Sequence, residues 1–332
     1  MLRIGVIGTG WITQEFLHGA MDSGLWELTA VYSRSFQRGM AFARQYGEPA
    51  VFSSLEEFAA FDGMDAVYIA SPNAFHYQHC KALLLAGKHV LCEKPLCAQG
   101  AKARELYALA RDKGLVLLEA IMYLHQPQRA LLEQAVQEIG PVSFAKIDFC
   151  QRSSKLDAYL AGELPNIFNP ALETGALMDL GVYCVYPALA LFGQPDSFQM
   201  TALPLASGAD GTGVLTLTYP DKLVTLTWSK TGQGGYGSDF QGPNGTVRVG
   251  SISKLEAIAR WKPGGEWEEL YGATEKYKLM GNEAVDFHRC ITQPAEMAPQ
   301  LARWQQLSMD VSQLMEQARL QAGIRFPSDS AE

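Results

Sequence analysis

The sequence predicts an α/β fold: a doubly wound parallel sheet, followed by an α+β domain with a large, mostly antiparallel open-faced sheet. Three observations carry this expectation. The chain opens on a strand, a glycine-rich turn and a helix start, Ile4-Gly5-Val6-Ile7-Gly8-Thr9-Gly10-Trp11. Up to residue 119, short apolar runs alternate with amphipathic stretches, as in a parallel sheet covered on both faces. After Gln126-Pro127 the texture changes to Thr-, Val-, Leu- and Trp-rich runs split by Gly, Pro and Asn.

In order, strands are expected at 2–7, 28–32, 66–70, 89–92 and 115–119, and helices at 11–23, 37–46, 55–61, 75–86 and 101–113. Gly114 stands where a left-handed residue would end the last of these helices. Residues 129–139 read as a helix, 142–152 as a long strand, 156–174 as irregular and 176–192 as an apolar helix. Strands follow from 198 to about 271, clearest at 215–219 and 224–230. Helices return at 282–291 and 299–322. The expected domains are 1–122 and 123–332.

Composition narrows the function. The 332 residues are 48% apolar and 19% charged, ordinary for a globular chain able to bury a core in each domain. A net charge of −8 argues against nucleic acid or an anionic membrane as partner, because both need clustered Lys and Arg. The strand pattern begins at residue 2 and leaves no room for a leader. The apolar run 183–192 is about half of the ~20 residues that span a bilayer. A cytoplasmic protein with a small-molecule substrate is expected. The 6 cysteines form no CxxC and no zinc-ligand spacing, so Cys92 and Cys97 are read as reduced packing residues. Asn244-Gly245 reads as a hairpin turn.

The turn Gly8-Thr9-Gly10 with Trp11 and Ile12 suits a dinucleotide. Gly8 permits the turn, Gly10 allows backbone to approach a pyrophosphate, and the helix start offers unpaired N–H groups. Thr13 replaces the usual third glycine or alanine. The second strand ends Val31-Tyr32-Ser33-Arg34-Ser35, with Arg38 following and no carboxylate for a ribose 2′-hydroxyl. Ser33 and Arg34 suit a 2′-phosphate, so NADP(H) is favoured and NAD(H) remains possible.

Further along stand Ser71-Pro72-Asn73 with His76, then Glu93-Lys94-Pro95, then Gly175-Ala-Leu-Met-Asp179-Leu-Gly-Val-Tyr183. With the glycine turn, these motifs make the whole chain resemble the glucose–fructose oxidoreductase / inositol dehydrogenase / MocA family. Its dimeric dihydrodiol dehydrogenase and anhydrofructose reductase branch is the most similar. The resemblance implies a Rossmann domain, an NAD(P)-dependent oxidoreductase, and a homodimer joined through the C-terminal sheet. It implies that Lys94 points into the active site and that Asp179 and Tyr183 face it from the second domain. The residues themselves agree in part: Asp179 and Tyr183 are i and i+4 on one helix face, both polar in an apolar segment.

The chemistry asks for a proton-handling group beside the carbon that exchanges hydride. Tyr183 can serve if a nearby Lys94 ammonium lowers its pKa, or Lys94 can polarise the oxygen itself, with Asp179 orienting the lysine. Pro95 restricts Lys94 to extended backbone at a strand's carboxyl end, where α/β sheets receive ligands. Glu93 is expected to orient the lysine or touch cofactor, and His76 to cap a helix or lie near the nicotinamide. Met122 is expected beside the cofactor; Tyr123 and His125 line the substrate side, His125 alternatively being an interface residue. No metal is needed. Departures from the family pattern lie at Glu173-Thr174-Gly175, Asn166 and Leu124. The substrate expectation is a sugar-like polyol, a dicarbonyl or a trans-dihydrodiol. The alternative is a dinucleotide-binding sensor without turnover; a methyltransferase would not account for the Lys-Pro motif or the large second domain.

Overall fold

The computed structural model describes residues 1–329. The first stretch of chain runs β1 Leu2–Ile7, α1 Trp11–Asp22, β2 Trp26–Tyr32, α2 Phe36–Ala43, β3 Ala50–Phe52, α3 Leu55–Ala60, β4 Ala66–Ile69, α4 His76–Leu85, β5 His89–Glu93, α5 Gly100–Asp112 and β6 Leu117–Ala120. The six strands form one parallel sheet in the order β3-β2-β1-β4-β5-β6. The order reverses between β1 and β4, and such a switch point opens a crevice at the strand carboxyl ends.

Local chemistry explains the boundaries. Ser35 caps α2 by accepting a hydrogen bond from Arg38 N, and Ser54 caps α3 by accepting one from Glu57 N. Gly114, at φ +66°, ends the chain's run through α5. The strand β3 is new relative to the sequence reading. Its three half-buried residues are too few to display a period. The sheet core is apolar throughout and includes Cys80, Cys92 and Cys97 among Ile69, Leu83, Val90, Leu96 and Leu106. The cysteines are packing residues, as expected.

The chain continues through α6 Met122–His125, α7 Gln128–Glu138, β7 Phe144–Cys150 and α8 Leu156–Leu160. Residues Leu177–Gly181 form a π-turn that leads into α9 Val182–Phe192. Then come β8 Ser197–Pro204, β9 Asp210–Thr218, β10 Leu223–Ser229, β11 Ser238–Gly242, β12 Gly245–Ser251, β13 Glu256–Trp261 and β14 Trp267–Tyr271. With β7 they make an eight-stranded sheet, β14-β13-β12-β11-β7-β10-β9-β8. Only β7 and β10 pair in parallel. Burial alternates along β9 and β12, so one face is apolar and packs on α9 and the π-turn. Asn244-Gly245 sits at the β11–β12 hairpin, with Gly242 paired to Gly245.

The helical stretch Pro170–Phe192 is long and apolar enough to cross a membrane, longer than the run read from sequence, but 72% of its apolar window is buried in the protein. Helices α10 Lys276–Thr292 and α11 Pro294–Gln321 follow.

The chain divides into two compact units. The first holds Met1–Met122 together with Glu275–Met309; the second holds Tyr123–Thr274 and the chain from Asp310 on. The expected second domain was continuous over 123–332, whereas in this division residues 275–309 group with the first unit. The reason is the packing of α10. A Cβ on Gly19 of α1 would meet Tyr277 O at 2.3 Å and Gly281 N at 2.6 Å, so backbone lies against backbone. The buried Trp26 indole donates to Ala284 O at 3.0 Å. Contacts of this kind leave no signature in a linear reading of residues 275–309.

Candidate active site

The first unit builds a cofactor cradle at the β1–α1 turn. Gly8 has φ +105°, and a Cβ there would sit 2.7 Å from Ala70 O at the end of β4. Only glycine fits. Gly10 is the N-cap of α1, extended and open, with no atom within 4 Å of a would-be Cβ. The first turn of α1 holds no acidic residue to repel phosphate. Thr9 and Ile12 are half-buried and Trp11 is exposed. Thr13 is fully buried, a small residue where α1 meets the sheet. These features fit a pyrophosphate at the helix N-terminus.

Beyond β2, Ser33 is buried and Arg34 and Arg38 are exposed. The Arg34 guanidinium lies 5.4 Å from the centre of the Phe75 ring. Ser33 Oγ accepts from Ser35 N at 3.3 Å. No carboxylate follows β2 in this stretch. Serine hydroxyls with an exposed, stacked guanidinium fit a 2′-phosphate.

The Lys94 turn is held from several sides. The Lys94–Pro95 peptide is cis. His76 is buried, its Nδ1 2.9 Å from Pro95 O and its Nε2 2.8 Å from Ser71 O. A neutral imidazole donates to only one of these carbonyls. Burial, foremost, and the Lys94 charge hold His76 below its ordinary pKa, opposed by the two carbonyls. His76 therefore joins the Ser71-Pro72-Asn73 loop to the Lys94 turn. His79 shares a 2.9 Å hydrogen bond with Ser71 Oγ, and burial, with the His76 and Arg34 charges, lowers it to about 4. Leu96 N donates to Glu119 Oε1 at 3.0 Å, and Ser308 Oγ donates to the other oxygen.

Glu93 accepts from Tyr68 OH at 2.6 Å and from Lys94 N at 3.3 Å. Burial raises its pKa, opposed by the Lys94 ammonium and the Tyr68 hydroxyl. Glu283 of α10, buried, faces the same carboxylate. Neither of its oxygens has a hydrogen-bond partner. Burial and the charges of Glu93 and Asp286 push its pKa far up, with Lys276 opposing. Lys276 stands 3.9 Å from the centre of the Trp11 ring. Met122 is buried at the end of this unit.

The second unit builds its own constellation. Asp179 lies in the π-turn and Tyr183 in the first turn of α9, both half-buried among buried apolar neighbours. Tyr183 meets the Phe149 ring edge-on at 5.6 Å. The turn is anchored by Asp210, which accepts from Leu177 N at 2.7 Å and from Trp228 Nε1 at 3.2 Å. Burial raises the Asp210 pKa against these donors. Lys230, buried just past β10, pairs with Asp179. Tyr123 and His125 are both buried; the Tyr123 hydroxyl has no hydrogen-bond partner, and burial raises its pKa.

Sequence reading missed Lys230, Asp210, Glu119, Tyr68 and Glu283. Only Lys230 and Asp210 had a usable signal, a charge at the end of a strand whose alternate positions are apolar. Among the described residues no cluster of His, Cys, Asp and Glu is arranged to hold a metal.

The chain resembles known proteins over its full length. Residues 2–121 match an oxidoreductase family described as having an NAD-binding Rossmann fold, and residues 129–249 match the GFO/IDH/MocA C-terminal domain. The chain is 38% identical to the uncharacterised oxidoreductase YgjR of Escherichia coli K12, covering 100% of both chains. It is 37% identical, also with 100% of both covered, to the NADP(+)-dependent scyllo-inositol 2-dehydrogenase IolU of Bacillus subtilis 168. Mouse trans-1,2-dihydrobenzene-1,2-diol dehydrogenase is 29% identical, with 99% of both covered. The 3-ketoreductase KijD10 of Actinomadura kijaniata shares the fold, with a TM-score of 0.82 at 24% identity, covering 96% of this chain and 97% of that one. These matches span the glycine cradle, the Lys-Pro turn and the second unit alike, and the chain belongs to the Gfo/Idh/MocA family of NAD(P)-dependent oxidoreductases, which act on CH–OH groups.

Proposed function

We propose that this oxidoreductase uses NADP(H) to interconvert an alcohol and a carbonyl on a cyclic polyol or sugar-like substrate, with Lys94, Asp179 and Tyr183 handling the proton. The observation that carries the reading is the Lys94 turn. It lies at the carboxyl end of β5, with the buried His76 ring wedged between Pro95 O and Ser71 O and Glu119 accepting from Leu96 N. Two independent pins on one short turn hold its backbone to a narrow geometry, as a catalytic lysine requires.

The nicotinamide, when bound, supplies or accepts the hydride. The chain's own residues do the rest. Gly8, Thr9, Gly10, Trp11 and Ile12 receive the pyrophosphate, Ser33, Arg34 and Arg38 the 2′-phosphate, and Ser71, Pro72, Asn73, Glu93 and Met122 the remainder. His76 acts one step back, through the Ser71 and Pro95 carbonyls. Lys94 presents an ammonium to the reacting oxygen, and Tyr183 exchanges its proton. Asp179 orients or neutralises the lysine ammonium in this proton-handling group. The polyol preference rests on the 37% identity to IolU along the whole chain. Tyr123 and His125 back the substrate side. The polar face of the large sheet is the dimer interface.

NADPH fluorescence titration and turnover of a polyol and carbonyl panel headed by scyllo-inositol test this. Lys94→Met and Tyr183→Phe should bind NADPH as the wild type does. Each should lose about 10²–10⁴-fold in kcat, the usual worth of general acid–base catalysis. Near-wild-type turnover in both variants, or a wild type that binds NADPH and turns over nothing, defeats the proposal.

A further inference from the structure

Lys230 has no place in the chemistry derived so far, yet its surroundings are specific. Its side chain is 3% exposed, and its Nζ pairs with Asp179 Oδ2. Its ammonium lies 5.9 Å from the centre of the buried Phe168 ring. Its backbone is fixed at both ends: Lys230 N donates to Gly211 O at 2.8 Å, and Lys230 O accepts from Ser153 N at 2.9 Å. A long, flexible side chain has thus been given a fixed root and a buried path to one carboxylate.

An ammonium taken out of water is costly unless paired, and removing one partner leaves the other stranded. Asp179 is therefore not an ordinary helix carboxylate. It pairs with a buried lysine from the residue just past β10. The π-turn that carries Asp179 is anchored a second time by Asp210 on Leu177 N. Asp210 of β9 and Lys230 just past β10 then set the position of one turn of helix, and Tyr183 follows on that same helix.

We propose that Lys230 is a positioning residue for the reaction, holding the Asp179 carboxylate ionised and in a fixed orientation beside Tyr183. The inference rests on the assignment of Asp179 and Tyr183 to the chemistry. It adds Lys230, the residue just past β10, as a counter-ion of Asp179.

The test uses the full chain and the variants Lys230→Met, Lys230→Arg, Asp179→Asn and Asp179→Asn/Lys230→Met. Each is assayed for NADPH binding, thermal stability, and kcat and KM with scyllo-inositol and NADP+, or with whichever panel substrate the wild type turns over. Lys230→Met should lower kcat/KM by about 10-fold or more, the scale on which a displaced group costs rate, with NADPH affinity unchanged. Lys230→Arg should recover part of that loss. Asp179→Asn should melt below the wild type, and adding Lys230→Met should raise its melting temperature again, because the stranded ammonium is gone. Lys230→Met with wild-type kcat/KM overturns the inference while leaving the proposed function intact. So does a double variant that melts lower by the sum of the two singles. A wild type without turnover on the whole panel takes down both.

Discussion

Arg34 illustrates how much a single side chain can carry. It was legible because the second strand of a dinucleotide fold has a known duty, and here it ends in Ser33-Arg34 rather than a carboxylate. The structure adds that the guanidinium is exposed and stacked 5.4 Å over Phe75, held without being consumed by a protein anion in that stretch. Arg34→Ala is expected to weaken NADPH binding by about 10- to 100-fold, about 1.5–3 kcal/mol for charge-assisted hydrogen bonds, and to leave NADH binding nearly unchanged. Fluorescence titration with both cofactors checks it, and an unaltered NADPH/NADH ratio refutes it. Lys94 was singled out by its Glu-Lys-Pro motif, and Asp179 with Tyr183 by their i, i+4 spacing in an apolar segment. The partners of His76, Lys230 and Glu283 were not legible. What each does is decided by a partner 19, 51 or 190 residues away in sequence.

At the scale of elements, α10 shows how packing imposes a chemical state on a residue. The close approach of Gly19 and Gly281 draws α10 onto α1. Glu283, between Gly281 and the core residue Phe287, is carried inside with it, away from water. Burial, then Glu93 and Asp286, raise its pKa well above the carboxylate range. The sign follows. A raised folded pKa means stability that is fully present below the unfolded value of about 4.3 and lost as pH rises through the folded value. Glu283→Gln is neutral at every pH and lacks this loss. Measured from pH 5 to pH 8, the wild type should therefore lose stability relative to Glu283→Gln, by up to about 1.4 kcal/mol per pH unit. A gap that stays flat across that range contradicts the buried neutral acid. Most elements were foreseen within a residue or two, since helices with caps and fully apolar strands advertise themselves. β3 was not, nor the π-turn at Leu177–Gly181, whose extra residue per turn no periodicity reveals.

At the scale of the molecule, the large sheet raises the question of what covers its second face. Across the strands, registered neighbours on that face read Glu269, Ala259, Arg248, Asp239, Lys146, Thr225, Thr216 and Gln199. Charges alternate in sign along the row, and Tyr236 and Trp267 stand exposed beside Arg248 around a cavity of about 540 Å³. Alternating charge suits a twofold partner better than a lone apolar surface would, because opposite charges can meet across the axis. Light scattering on a sizing column is expected to return twice the chain's mass, and Arg248→Glu to reduce it; a single-chain mass at all concentrations excludes the proposed dimer. The fold class, the family, the glycine cradle and the Lys-Pro motif were determined by the sequence alone, because each is a local pattern whose physics acts over a few residues. The tertiary structure alone decided that residues 275–309 join the first unit, that Glu119 and His76 clamp the Lys94 turn, and that Lys230 is a counter-ion of Asp179. These depend on which distant groups share a low-dielectric interior, where an unpaired charge or hydrogen-bonding group is costly, and no local pattern records who the partner is.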